Sequence, residues 1–193
     1  DMLVAAQVEN PGLPVHVKTH PETMAGHRTG HFGPEDASDR VHLITDPVDP
    51  WALMQGAVAV YTVSSGMGFE AIIAGHRPRV FGQPFYAGWG LTEDENPVAR
   101  RTRKLTRAQL FAGAMILYPT WYDPFHDRLC EVEQVIATLE ARARAAHQDR
   151  HGHVAAGILL WKRRAINRVF GTKKALIFRN GKAATRRARK TGR

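Results

Sequence analysis

AVAVYTVSSGMGFEAIIAG (57–75) is the most informative stretch of the 193-residue chain. Residues 57–63 are almost purely apolar and rich in β-branched side chains, the pattern of a central parallel strand covered on both faces. Residues 66–74 then read as a helix, and 79–81 as the next strand. Upstream, 13–18 (LPVHVK) and 41–45 (VHLIT) are two more short β-rich runs. Residues 50–56 form a short helix with Pro50 in its first turn and Gly56 at its end. Residues 2–9 read as a helix closed by Asn10-Pro11-Gly12. Strand–helix–strand units of this size predict an α/β fold: a Rossmann-like open parallel sheet with right-handed crossovers.

Residues 83–96 are rich in glycine and aromatics without a regular period, so a loop is expected. Two helices follow, over 106–117 and 130–146, the second with Val132, Val135, Ile136 and Leu139 on one face. Composition then changes abruptly after His147. Residues 1–149 hold 13 Lys and Arg against 18 Asp and Glu, whereas residues 150–193 hold 14 basic residues and no acid. The net charge of +9 therefore belongs to the tail. The expected division is a sheet domain over 1–146 and a basic, helical C-terminal extension over 147–193. Nucleic-acid binding is excluded for the mildly acidic body and survives only as a weak reading of the tail. No run of eighteen apolar residues is present, so no membrane-spanning helix is expected. The single Cys130 leaves no intrachain disulfide and fits the cytoplasm. Asp1 is not an initiator residue, so sequence is expected upstream of it.

Three segments could carry chemistry. Lys18-Thr19-His20-Pro21-Glu22 ends a strand, where ligands of open α/β sheets collect. A lysine and a histidine there could neutralise or protonate a phosphate, against the plainer reading of a surface histidine before a turn. Thr62-Val63-Ser64-Ser65-Gly66-Met67-Gly68-Phe69-Glu70 runs from strand into helix. Free N–H groups, hydroxyls and the positive end of a helix dipole make it a phosphate site. Simple N-capping by Ser65 is the alternative. Capping needs one hydroxyl, however, and does not need glycines at both 66 and 68, which favours the phosphate. Glu70 could face the crevice and hold ribose hydroxyls. The third segment is FGQPFYAGWGLTED (81–94), whose aromatics, Tyr86 among them, could stack on a sugar or base or else plug the core. His20, His27 and His31 invite a zinc site, but no cysteine or acid falls at ligand spacing, so no metal is expected.

ENPGLPVHVKTHPE (9–22), YTVSSGMGFEAIIAGHRPRVFGQPFYAGWGLTED (61–94) and ILYPTWYDP (116–124), in this order, resemble the capsule polysaccharide proteins of the KpsC type, the retaining β-Kdo transferases. The resemblance covers residues 1 to about 140. It implies one lobe of a GT-B-like pair, the C-terminal donor-binding lobe, with CMP-Kdo as donor and a lipid-linked saccharide as acceptor, and no cofactor. His20-Pro21 looks like the family's HP motif and Ser64-Ser65 like its SS motif, both associated with the CMP phosphate. Lys18, Gly66, Glu70 and Tyr86 join them as expected donor-binding residues, and His20 as an aid to CMP departure. Retention is most simply achieved through a carboxylate nucleophile. In the family that aspartate is expected just upstream of this chain, so the 193 residues alone would transfer nothing.

The tail, from Gly157-Ile158-Leu159-Leu160-Trp161-Lys162-Arg163-Arg164 onward, resembles the start of a second transferase unit. An amphipathic extension lying on an anionic inner-membrane surface is the other reading. A non-catalytic, export-associated module with a vestigial nucleotide site is the alternative for the body of the chain.

Overall fold

The computed structural model describes residues 1–19, 23, 27 and 30–192. Its contacts divide into two compact units, Asp1–Tyr118 and Pro119–Arg193. The break thus falls between Tyr118 and Pro119, whereas the change in composition at His147 lies inside the second unit.

The first unit alternates helix and strand: α1 (Met2–Glu9), β1 (Val15–Lys18), β2 (Val41–Ile44), α2 (Pro50–Gln55), β3 (Tyr61–Thr62), α3 (Met67–Ala74), β4 (Arg79–Val80), β5 (Glu93–Asp94) and α4 (Arg107–Phe111). β1 pairs with β2 in parallel, Val15 opposite Val41. β3, β4 and β5 form a second parallel ladder in that order. The α/β class and parallel pairing match the sequence reading. One continuous open sheet does not form among the described residues, because the two ladders are separate.

The long apolar run is also corrected. Only Tyr61 and Thr62 make strand, and β3 lies at an edge, with Val58 74% exposed. β4 is the central strand, and its Val80 is fully buried. The loop expected over 83–96 contributes β5. The expected helix over 106–117 begins as α4, capped by Thr106 and Gln109, and continues as a π-helical turn over Ala112–Leu117.

The core is small: Ile72, Val80, Tyr86, Ala87 and Leu110, flanked by Phe69, Trp89, Leu91 and Leu105. α3 supplies Ile72 to it, packs Phe69 against it and ends on Gly75, whose φ of 105° is left-handed and suits glycine alone. Polar links hold α1, which buries only Ala6. Asn10 donates to the Tyr61 hydroxyl at 2.9 Å, and Tyr61 donates to Glu9 at 2.7 Å. Arg79 pairs with both Glu9 and Glu95. Arg40 donates to the Asn10 carbonyl at 2.9 Å and to that of Leu13.

In the second unit, β6 (Trp121–Asp123) and β7 (Arg128–Cys130) form an antiparallel hairpin, followed by α5 (Val132–Asp149). Beyond it lie β8 (Val154–Ala156), α6 (Leu160–Phe170), β9 (Ile177–Arg179) and α7 (Gly181–Thr191). β8 and β9 pair in parallel. The expectation of a purely helical extension is therefore corrected: the tail is a strand–helix–strand unit with a further helix.

Asp123 anchors the hairpin. Its buried carboxylate accepts from the Phe125 N–H at 2.9 Å and from Gln134 at 3.1 Å, and hydrogen-bonds His126 Nδ1 at 2.6 Å. The His126 contact first, then the Phe125 N–H, holds its pKa below the ordinary 3.8. A depressed carboxylate adds stability that is present above the ordinary value and is lost as pH falls through the folded one. Urea midpoints are therefore expected to fall on acidification below about pH 4. Asp123→Asn is expected to flatten that fall, and equal slopes for the two proteins would contradict this role.

Candidate functional site

The site sits at the turn from β3 into α3. Ser64, Ser65 and Gly66 are all exposed. The Ser65 backbone is fixed on both sides. Its N–H donates to Thr62 Oγ1 at 3.2 Å, and its carbonyl accepts from the Gly68 N–H at 3.0 Å and the Tyr86 hydroxyl at 2.6 Å. The Ser65 hydroxyl accepts from the Met67 N–H at 3.3 Å, so it does act as a partial cap. Capping uses only that hydroxyl. The N–H groups of Ser64 and Gly66 and the Ser64 hydroxyl have no partner among the described residues. Two amides and a hydroxyl of exposed residues at a helix N-terminus are thus left free, and free donors there suit an anionic oxygen.

Glu70 lies one turn into α3, partly buried, and its Oε2 is buried without a hydrogen-bond partner among the described residues. A buried carboxylate oxygen left unpaired costs folding free energy, about 1–3 kcal/mol. Such atoms often owe their retention to a ligand.

Lys18 closes β1, and its Nζ donates to the Thr19 carbonyl at 3.1 Å. Thr19 in turn bonds the Ile44 carbonyl through its hydroxyl at 3.2 Å, tying the end of β1 to β2. His20 and Pro21 lie outside the described residues. So does part of the suggested histidine cluster; among the described residues no three His, Cys, Asp or Glu side chains gather to hold a metal.

Two sequence arguments change. Tyr86 was expected to contact donor, but its ring is fully buried, so it reaches the turn only through the Ser65 carbonyl. Burial also pushes its pKa above 10.0, which keeps the phenol a proton donor. Gly68, read above as part of a phosphate cradle, is buried because any Cβ there would collide with the Tyr86 ring.

The rest of the aromatic loop is a rigid brace. Gly88 and Gly90 take left-handed φ values of 79° and 81°. Asp94 accepts from the Gly88 N–H at 3.0 Å and from Thr92 at 2.8 Å. Arg101 donates to the carbonyls of Pro84 and Ala87 and lies over the Trp89 ring at 5.5 Å. Of its aromatic rings only that of Phe85 is exposed, 5.2 Å from Phe69. Sequence reading missed Thr62, Asp94 and Arg101 as supports. Their carbonyl and amide partners are backbone groups, which leave no signature in residue type.

Residues 1–120 match the family described as capsule polysaccharide biosynthesis protein. The chain is 39% identical over 139 residues to the lipopolysaccharide-processing protein LpsZ of Rhizobium meliloti, covering 72% of this chain and 32% of that protein. It is 40% identical over 124 residues to the capsule polysaccharide modification protein LipA of Neisseria meningitidis serogroup B, covering 64% of this chain and 18% of the relative. Among solved structures it resembles a β-Kdo 2,4 transferase, KpsC of Thermosulfurimonas dismutans. That match has 40% identity and a TM-score of 0.67, over 72% of this chain and 43% of the other. A β-Kdo 2,7 transferase, also KpsC of that organism, matches at 31% identity and TM-score 0.61, over 74% and 45%. The chain thus spans less than half the length of each of these relatives. The chain belongs to the capsule polysaccharide biosynthesis protein family.

Proposed function

We propose that this chain is the donor-binding lobe of a GT-B-like, retaining β-Kdo transferase working in capsule polysaccharide biosynthesis, within a longer polypeptide. The observation that carries the reading is the open serine turn at the start of α3, with unpartnered N–H groups at Ser64 and Gly66. That turn occurs in a chain 40% identical to a solved Kdo transferase. The donor is CMP-Kdo and the acceptor a lipid-linked saccharide. The reaction takes place at the cytoplasmic face.

In this reading the CMP phosphate sits on the helix N-terminus, where the dipole and N–H groups favour negative charge. Ser64 and Ser65 add hydroxyl donors, Lys18 adds charge, and Glu70 accepts from ribose hydroxyls. The imidazole of His20, next to Pro21, donates a proton or hydrogen bond to CMP as the glycosidic bond to its phosphate breaks. Retention is most simply achieved by two displacements through a carboxylate. That nucleophile is proposed to lie outside this chain, which by itself would not transfer sugar.

The test is ligand-dependent stability of the full-length protein. CMP bound to the native state alone raises the melting temperature. Ser65→Ala and His20→Ala are each expected to weaken CMP about tenfold, the size of one lost charge-assisted hydrogen bond, and so to diminish the shift. A wild-type melting temperature indifferent to CMP would sink the donor-lobe reading and favour a vestigial site.

For residues 147–193 the parallel β8–β9 pair supports the opening of a second transferase unit over a surface helix, since a lone amphipathic extension needs no parallel strands. The exposed Leu160, Trp161, Val169 and Phe170 then await the remainder of that unit. Peripheral contact with an anionic inner-membrane surface is the competing role for the same basic segment, and vesicle binding lost on deleting 150–193 would favour it.

A further inference from the structure

The geometry points to Tyr86 as a positioning residue that aims the Gly66 N–H at the donor phosphate by anchoring the carbonyl of the same peptide unit, an inference that rests on the donor-lobe reading above.

Ser65 C=O and Gly66 N–H belong to one planar unit, and the chain contains no cis peptide bond among the described residues. In a trans peptide the carbonyl and the N–H point in opposite directions. Whatever pulls the Ser65 oxygen into the core therefore turns the Gly66 N–H outward. Tyr86 does the pulling: its hydroxyl donates to that oxygen at 2.6 Å from a fully buried ring. At the opposite end of the plane Gly66 is an exposed residue, and its N–H has no partner among the described residues.

The turn is held from a second side. Thr62, 5% exposed, accepts from the Ser65 N–H at 3.2 Å. Ser65 is thus fixed at its N–H by Thr62 and at its C=O by Tyr86. Donation to a carbonyl polarises its amide and strengthens the N–H of that amide as a donor. Gly68 makes the arrangement sterically accessible, because the Tyr86 ring occupies the space a Cβ would fill. Phe85 and Ala87 cannot take over, since Phe85 lies half exposed and Ala87 carries no polar side chain.

Tyr86→Phe tests this, because it keeps the ring and removes only the donor. In the full-length protein the probe is CMP, with affinity read by calorimetry and the Gly66 amide followed by NMR. The variant is expected to bind CMP about tenfold more weakly, in line with one lost hydrogen bond, and to lose most of the CMP-induced shift of Gly66. A merely structural tyrosine would lower the melting temperature and leave CMP affinity well below it unchanged. Equal CMP affinity in variant and wild type overturns the positioning role while the donor-lobe reading stands. No CMP binding by wild type overturns both. If Tyr86→Phe fails to fold, Thr62→Val frees the Ser65 N–H and loosens the same turn from its other side, and the same two readouts decide.

Discussion

Gly68→Val is expected to destabilise the first unit by about 3 kcal/mol, the upper range for forcing atoms into a packed site. The new side chain meets the Tyr86 ring, which is fully buried and cannot retreat into solvent. It also disturbs the hydrogen bond from the Tyr86 hydroxyl to the Ser65 carbonyl, one of those that position the serine turn. A β-branched residue in the first turn of α3 adds a smaller propensity cost, a few tenths of a kcal/mol. Denaturant titration measures the loss, and a midpoint within error of wild type would show that the turn can re-form around a larger residue. The same substitution at Gly66 should be mild by comparison, since nothing lies within 4 Å of its Cβ position.

Ile72→Ala is expected to cost about 2–5 kcal/mol, through lost transfer energy and an unfilled cavity. Ile72 is fully buried in a core of only five buried residues, so few neighbours can collapse into the gap. The effect should appear as a lower melting temperature with CMP affinity retained at low temperature, because Ile72 carries no polar side-chain group for the donor or the turn. A loss below 1 kcal/mol would mean that the cluster around Val80 and Tyr86 is looser than its burial implies.

The order of elements was readable because each carries its own punctuation. Pro50 and Gly56 bracket α2, Asn10 ends α1, and Gly75 ends α3. Sheet order was not readable. Residues 57–63 look like a central strand by composition, yet Pro78 and Gly82 bound the partner strand and leave only two paired positions. A run's apolarity fixes neither the burial of each side chain, Val58 and Val63 being exposed, nor the number of strands beside it. The strands of the tail were missed for a related reason: three residues each cannot establish a period of two.

The serine turn was legible through its hydroxyls and glycine at a strand–helix junction. The roles within it were not. Tyr86 could equally have stacked on ligand or plugged the core, and only coordinates show its hydroxyl on a backbone oxygen. Gly68 shows the converse. Its presence was noticed as unnecessary for capping, but the cause lies eighteen residues downstream, in the ring it accommodates.

The pairing of Arg79 with Glu9 spans 70 residues of chain. During synthesis from the N-terminus, α1 therefore emerges long before its clasp exists, with Val4 and Val8 turned to solvent and a single buried alanine to hold it. Short helices of this length do not persist alone in water. α1 thus docks only after residues 10–79 have followed it, and its attachment reports completion of the strand that carries Arg79.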